Sequence, residues 1–216
     1  MRVNGFTAES PPASSHLEFR RRDSVFAGVA ECLGVSEIAI PREILAKASR
    51  YILANIEMLC SDKNRSSRIT KELRKTRLSL ASRLRVRESM VLYSIGCVGV
   101  NFTLRKILVV HSGACEVCFV KNSDHKKDIS VFPRMGKYRF PETWLQAKAR
   151  NLTPDITGVS AFTFGVSETV DSKRLQDFNR ELIRKSGCES YAGYAEEMVK
   201  TPGDSRGYSV STVAIK

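Results

Sequence analysis

Residues 102–120, FTLRKILVVHSGACEVCFV, are the stretch on which the fold prediction depends. At helical spacing, its apolar side chains and its histidine and cysteines share one face. The residues on that face are Leu104, Ile107, Leu108, His111, Ala114, Cys115, Cys118 and Phe119. Cysteine behaves as a small apolar residue in such surroundings. The stretch is therefore predicted to be a buried core helix.

A zinc site is the weaker alternative for the same residues. Its ligands would be His111, Cys115 and Cys118, with His125 as the fourth. This spacing differs from the usual structural zinc pattern, in which one Cys-x-x-Cys pair is joined by a separate second pair. A redox Cys-x-x-Cys would need a lowered thiol pKa, which apolar surroundings oppose. Core packing is favoured, and the sequence predicts no metal and no cofactor.

The overall composition is that of a globular protein with an unusual charge. The chain has 216 residues, of which 42% are hydrophobic and 27% charged, so it can bury a sizeable core. Its formal net charge is +12, which favours an anionic partner such as nucleic acid or an acidic membrane surface. No apolar run approaches the roughly 18 residues that a membrane-spanning helix needs.

Helical periodicity dominates the rest of the chain. Apolar spacing predicts helices over 23–34, 39–60, 65–92 and 172–187, while 1–22 and 201–216 are polar or rich in proline and glycine. The predicted fold class is mainly α, with a single helical core and extended arms. The predicted division of the chain is a flexible N-terminal arm (1–22), a helical RNA-binding core (23–200) and a flexible C-terminal tail (201–216).

The third predicted helix carries much of the positive charge. Between residues 61 and 90 there are ten Lys or Arg against three Asp or Glu. A charged helix face is usually only solvated, but this one is nearly all of one sign, so phosphate binding is favoured. The candidate RNA-binding residues on this helix are Arg74, Lys75, Arg77, Arg85 and Arg87.

Arg105 is a second kind of candidate, because it lies at the edge of the apolar face beside Ser112. An arginine in that position pairs with a carboxylate or presents its planar fork to one phosphate. Further along, Lys148 and Arg150 follow a segment in which Phe132, Tyr138, Phe140 and Trp144 alternate with cations. These aromatic residues would serve as stacking platforms for bases or as a small satellite core, and the sequence leaves both readings open.

Three stretches in order resemble a known family. FTLRKILVVHSGACEVCF resembles the T-[FL]-R-Q helix of coat proteins from flexuous filamentous plant viruses. VFPRMGKYRF and ARNLTPDITGVSAFTFGV resemble the PR-x-G and RNLT…AFDF stretches of the potyvirus branch. The resemblance covers about residues 102–170, and it rests on the order and spacing of these stretches.

This resemblance implies a helical subunit whose terminal arms join neighbours into a filament around single-stranded RNA. The arginine of the family's RNA pocket corresponds to Arg105, and the family's aspartate corresponds to Thr163, so the usual arginine–carboxylate pair cannot form. The predicted function is therefore a viral coat protein that binds RNA independently of its sequence and forms homo-oligomers. The implied locations are the virion and the host cytoplasm.

Other classes of function remain as alternatives. An RNA-binding regulator, such as a viral suppressor of RNA silencing, would use the same basic helix. A membrane-surface protein ranks third, because the basic helix lacks interfacial aromatic residues, and no membrane partner is predicted. An enzyme is not predicted, because the chain has three histidines and no P-loop, dinucleotide fingerprint or nucleophile elbow.

Overall fold

The computed structural model describes residues 3–7, 14–33, 39–113, 115–123, 126–132, 145–163 and 209–214. Within these ranges the chain forms ten strands and three α-helices. The strands are β1 (Val3–Thr7), β2 (Ser14–Arg21), β3 (Ser24–Leu33), β4 (Leu92–Asn101), β5 (Lys106–Ser112), β6 (Cys115–Ser123), β7 (Lys126–Phe132), β8 (Gln146–Asn151), β9 (Ile156–Thr163) and β10 (Ser209–Ala214). The helices are α1 (Ala39–Ala54), α2 (Ile56–Ser61) and α3 (Arg65–Leu84), with a 3₁₀ turn at Glu88–Met90.

The strands make two five-stranded antiparallel sheets that pack face to face. One sheet has the order β2-β3-β4-β5-β8 and carries α1, α2 and α3 on its other face, so we call it the helix-covered sheet. The second sheet has the order β1-β10-β9-β6-β7. The described part of the chain is thus a three-layer arrangement of helices, sheet and sheet.

Two separate cores follow from the alternation of side chains along the strands. On β3, Phe26, Ala30 and Cys32 pack against the helices, whereas Val25 and Val29 pack between the two sheets. Strands β4 and β5 are buried on both faces in the same way. The helix-covered sheet is therefore apolar on both sides, which its position in the middle of three layers requires.

The prediction of a mainly α fold with a single helical core is wrong, and the error has a physical cause. Residues 24–33, 92–101 and 106–112 are short apolar runs that are buried on both faces of a sheet. Such runs do not alternate, so their periodicity does not distinguish a buried strand from a buried helix. Their content of β-branched valine and isoleucine is the local signal that favours strands.

The two helical predictions around residues 39–84 are confirmed in part. Helices α1 and α2 replace the single helix expected over 39–60, with a break at Asn55. Helix α3 begins at Arg65 as expected but ends at Leu84, because Arg85 adopts a left-handed conformation with φ 56°. The predicted helix over 172–187 lies outside the described residues.

The ends of the chain also contain strands. Parts of the expected N-terminal arm form β1 and β2, and part of the expected tail forms β10, which pairs with both β1 and β9. As a division into domains, the boundaries 1–22, 23–200 and 201–216 stay a prediction. No helix among the described residues is long and apolar enough to span a membrane.

Candidate functional site

Several strands begin or end together at one end of the sandwich. The chain passes from the helix-covered sheet to the second sheet through only two residues, between Ser112 and Cys115. The registers put the end of β9 beside the starts of β6 and β10, and the end of β3 beside the start of β4. Residues at such strand ends are held by a rigid scaffold, which is where binding and catalytic groups commonly lie.

Buried polar residues gather at this end. Glu31 and Ser94 are partners in the β3–β4 register, and His111 pairs with Gly96 on the next row. Glu31, Ser94 and His111 lie on the face of their strands that packs against the second sheet, because they are an even number of positions from residues buried there. Glu31 and Ser94 are fully buried, and Ser112 is buried at the end of β5. We call Glu31, Ser94, His111 and Ser112 the polar end.

The crossing between the sheets lies directly against Ser94. Gly113 has φ +65°, and a Cβ atom at this position would lie 2.2 Å from Ser94 Oγ. Glycine is therefore required here for two reasons: the left-handed backbone and the absence of space for a methyl group. Because Gly113 packs so closely against Ser94, the crossing is held next to the Glu31–Ser94 pair of strands β3 and β4.

His111 is neutral at the polar end. Burial lowers the pKa of His111 from 6.5 to about 4, and the nearby positive charge of Lys148 lowers it further in the same direction. An imidazole with this pKa carries no proton to donate as an acid at neutral pH. It can still take part in hydrogen bonds through both ring nitrogens.

The folded protein should lose stability as the pH falls from about 6.5 to about 4. In this window the unfolded chain protonates His111 and the folded chain does not, so the free energy of unfolding decreases with falling pH. Across the whole window the free energy of unfolding should fall by about 3 kcal/mol, and none of this loss has occurred above pH 6.5. Urea unfolding of the wild type and of His111→Gln across this range measures it. The difference between the two slopes isolates His111 from the carboxylates, and parallel curves would rule out the buried neutral histidine.

The predicted RNA-binding residues do not come together. Arg105 lies in the exposed turn between β4 and β5 with φ 50°, and not on a helix. Its carbonyl oxygen accepts a hydrogen bond from the Leu152 N–H at 2.7 Å. Ser112 is buried at the polar end, and Thr163 is the last residue of β9. Arg105 therefore does not lie at the edge of a buried apolar face beside Ser112, the position from which it was expected to bind a phosphate.

The basic residues of the predicted third helix have separate roles. Arg74 and Lys75 are exposed, at 3.8 Å from Glu88 and 3.0 Å from Glu72 respectively. Arg77 is buried and donates to Glu88 through both of its terminal nitrogens. The two remaining cations, Arg85 and Arg87, are exposed beyond the helix end.

The last two predicted cations lie on the edge strand β8. Lys148 is exposed on the edge strand near His111. The guanidinium of Arg150 lies 5.6 Å from the centre of the Phe119 ring. Both face away from the helices, because Ala147 and Ala149 occupy the alternate positions that contact the helical layer. They therefore do not share a face with the predicted RNA-binding residues of α3.

The alternative zinc ligands are divided between strands. His111 is on β5, and Cys115 begins β6 in the other sheet. His125 lies outside the described residues, and the described ones contain no group of three or more His, Cys, Asp or Glu that could hold a metal. As a four-ligand site, the zinc alternative stays a prediction. The prediction that Cys115 and Cys118 lie on a core helix is wrong, because this stretch forms two strands joined by a two-residue crossing.

Glu31 and Gly113 are site residues that the sequence reading missed. Glu31 interrupts the apolar run SVFAGVAECL, and a carboxylate inside a buried run is a signal that was available. Gly113 follows a valine-rich run, where glycine often marks a close approach of the backbone. Neither Glu31 nor Gly113 stands out in this way unless the apolar segments around them are recognised as strands.

Comparison with known proteins identifies the fold. No protein-family model matches the chain, and no curated protein matches it. A bacterial serine phosphatase matches with 10% identity and a TM-score of 0.66, covering 100% of this chain and 98% of that one. Serine-threonine phosphatase 2C from Toxoplasma gondii matches with 8% identity and a TM-score of 0.63, covering 99% and 94%. RsbX, solved in complex with magnesium, matches with 11% identity and a TM-score of 0.58, covering 97% and 92%.

These matches correct the functional predictions. The resemblance to coat proteins of filamentous plant viruses is wrong, because the chain shares its fold with phosphatases and its T-x-R stretch is a strand turn. The predictions of a capsid subunit, of single-stranded RNA as partner, of filament assembly and of a virion or host-cytoplasm location are wrong with it. The RNA-binding regulator, which was its alternative, is withdrawn on the same grounds.

The exclusion of enzymes is also wrong, because the solved structures that share this fold are named as phosphatases. The motifs that were absent belong to other enzyme classes, so their absence did not bear on this fold. At 8–11% identity the likeness establishes the fold, a two-sheet sandwich of the phosphatase 2C type.

Proposed function

We propose that this chain hydrolyses the phosphate esters of phosphoserine and phosphothreonine in other proteins. The observation that carries the proposal is a likeness of fold over 99–100% of this chain and 94–98% of two serine or threonine phosphatases. A likeness over the whole length matters because a site at strand ends depends on every strand that meets there.

The polar end supports the proposal physically. Glu31 is a carboxylate with 0% exposure, and Ser94, His111 and Ser112 are buried at the same end of the sandwich. Clusters of buried polar and ionisable groups are candidates for functional sites. A phosphate monoester carries close to two negative charges at neutral pH. The positive charge of Lys148 acts on His111, so it is suited to attract that group toward the polar end.

The described residues do not fit the metal that the fold suggests. RsbX was solved with magnesium, and magnesium prefers carboxylate oxygens as its protein ligands. Among the described residues no three His, Cys, Asp or Glu side chains are grouped to hold a metal. Glu31 is the one carboxylate at the polar end whose side chain is described. We therefore assign no step of hydrolysis to a metal.

We expect the purified chain to release phosphate from phosphoserine and phosphothreonine peptides, and not from a phosphotyrosine peptide of the same sequence. Each peptide should be assayed with magnesium, with manganese and with a chelator, because the described residues leave the metal requirement open to test. Peptide binding measured in parallel separates recognition from turnover. Binding without any release of phosphate would contradict the proposal.

Glu31→Gln tests whether activity resides at the polar end. The change removes the charge and keeps the shape, and we expect kcat/KM to fall on the order of 100-fold. Glu57→Gln is the matched control, because Glu57 is exposed on α2. Circular dichroism checks folding, and Ser94→Ala at the same end replaces Glu31→Gln if that variant fails to fold. Equal activity of the two glutamate variants would remove the polar end as the site.

A further inference from the structure

A basic pocket lies at the opposite end of the helix-covered sheet, at the corner where β8 ends. Its volume is about 440 Å³, which is within the range of small-molecule sites. The described residues that line it are Cys60, Arg65, Lys106, Phe119, Ala149, Arg150, Asn151, Thr153 and Ile156. Three of these are cationic and none is a carboxylate. We call it the corner pocket.

The three cations are held in position by neighbours in the pocket wall. Arg65 donates from Nε to the Leu59 carbonyl at 2.8 Å and from a terminal nitrogen to the Cys60 carbonyl at 3.1 Å. Lys106 Nζ donates to Asn151 Oδ1 at 2.6 Å. The Arg150 guanidinium lies over the Phe119 ring. These contacts orient the three positive groups, and Lys106 keeps further N–H groups for another acceptor.

The start of α3 adds to the positive potential of the pocket. Arg65 is the first residue of this 20-residue helix, whose first turn contains no acidic residue. The cap residue Asn64 makes no side-chain hydrogen bond to the first-turn amides, while the Asp62 carboxylate accepts a hydrogen bond from the Asn64 N–H at 2.7 Å. Ser66 Oγ accepts a hydrogen bond from the Ala147 N–H at 3.0 Å, which ties this helix end to β8.

We propose that the corner pocket binds the phosphate group of a phosphate monoester. Cationic donors from Arg65, Lys106 and Arg150 line the pocket beside a helix N-terminus, which favours an anionic ligand such as phosphate, and Asn151 and Thr153 line the same pocket with polar side chains. The volume accommodates more than the phosphate, so the ligand has an organic part. That part is either a free small molecule or a phosphorylated side chain of a protein. The site is independent of hydrolysis, because it lies at the far end of the sandwich from Glu31.

Calorimetric titration of the full chain tests the proposal with three probes: inorganic phosphate, O-phospho-L-serine and a phosphoserine peptide. We expect saturable binding at low salt that weakens about tenfold or more in Lys106→Met and in Arg150→Met. Lys71→Met and Arg42→Met are the matched controls, since both residues are exposed on helices and line no part of the corner pocket. The controls should bind like the wild type.

The pattern over the probes identifies the source of the phosphate. Tighter binding of the peptide than of O-phospho-L-serine assigns the site to phosphorylated proteins, and comparable binding of the two assigns it to small phosphorylated molecules. Asn151→Asp, which introduces a negative charge into the pocket, should weaken binding even if one of the cation variants does not fold. Absence of saturable binding in the wild type, or equal weakening in all four cation variants, would overturn the proposal.

Discussion

Replacing Gly113 with alanine should lower the free energy of unfolding by about 2–5 kcal/mol. The left-handed backbone at φ +65° costs an alanine about 1–2 kcal/mol. The new methyl group would also lie 2.2 Å from Ser94 Oγ, and overpacking of this kind costs about 1–3 kcal/mol. Because the crossing joins the two sheets in two residues, it has little freedom to move away. Urea unfolding of the two proteins measures the difference.

A double-mutant cycle separates the two contributions. In a Ser94→Gly background the nearest contact is gone, so Gly113→Ala should cost only the backbone part, about 1–2 kcal/mol. The coupling between the two positions is then about 1–3 kcal/mol. An alanine that costs the same in both backgrounds would show that contact with Ser94 contributes nothing. An alanine that costs nothing in either would contradict the described crossing.

Replacing Arg77 with methionine should lower the free energy of unfolding by about 2–3 kcal/mol. The Arg77 side chain is 5% exposed and donates to Glu88 Oε1 at 2.6 Å and to the Glu88 carbonyl at 3.2 Å. Removing one member of a buried pair costs about 3–5 kcal/mol. The value is reduced here because the Glu88 side chain is 36% exposed and remains solvated when its partner is lost.

Arg74→Met is the matched control for this prediction. Arg74 is on the same helix and faces the same Glu88 carboxylate, but at 3.8 Å and with 63% of its side chain exposed. Its loss should cost less than about 1 kcal/mol. Thermal and urea unfolding of both variants compare them directly. If the two substitutions lower the free energy of unfolding equally, the buried position of Arg77 adds nothing to the stability of the fold.

The helical layer could be predicted from the sequence, and the sheets were not. Helix α1 has a clear apolar stripe and Pro41 in its first turn, and both are strong local signals. Strand β3 has no comparable signal, because its residues are buried on both faces and its apolar positions also fit a helix. The end of α3 was missed since it depends on Arg85 adopting a left-handed conformation, which arginine rarely does.

The candidate site could not be predicted from the sequence once the strands had been taken for helices. Glu31 and His111 are 80 positions apart in the sequence, and they face the same interior only through the registers of β3, β4 and β5. No local pattern indicates such a juxtaposition. Charge was misread for a related reason. Arg77 was assigned to a basic helix face and Arg150 to a segment of aromatic residues and cations, whereas Arg77 forms an internal ion pair and Arg150 lines a pocket.

Phosphorus-31 NMR of a phosphoserine peptide mixed with the full chain and magnesium tests the central claim most directly. Substrate and product are seen in one tube, so loss of the ester and appearance of inorganic phosphate must balance. The account predicts that the peptide resonance is replaced over time by that of inorganic phosphate, and that Glu31→Gln slows this conversion. A peptide resonance that keeps its full intensity with magnesium and with manganese would contradict the proposed hydrolysis.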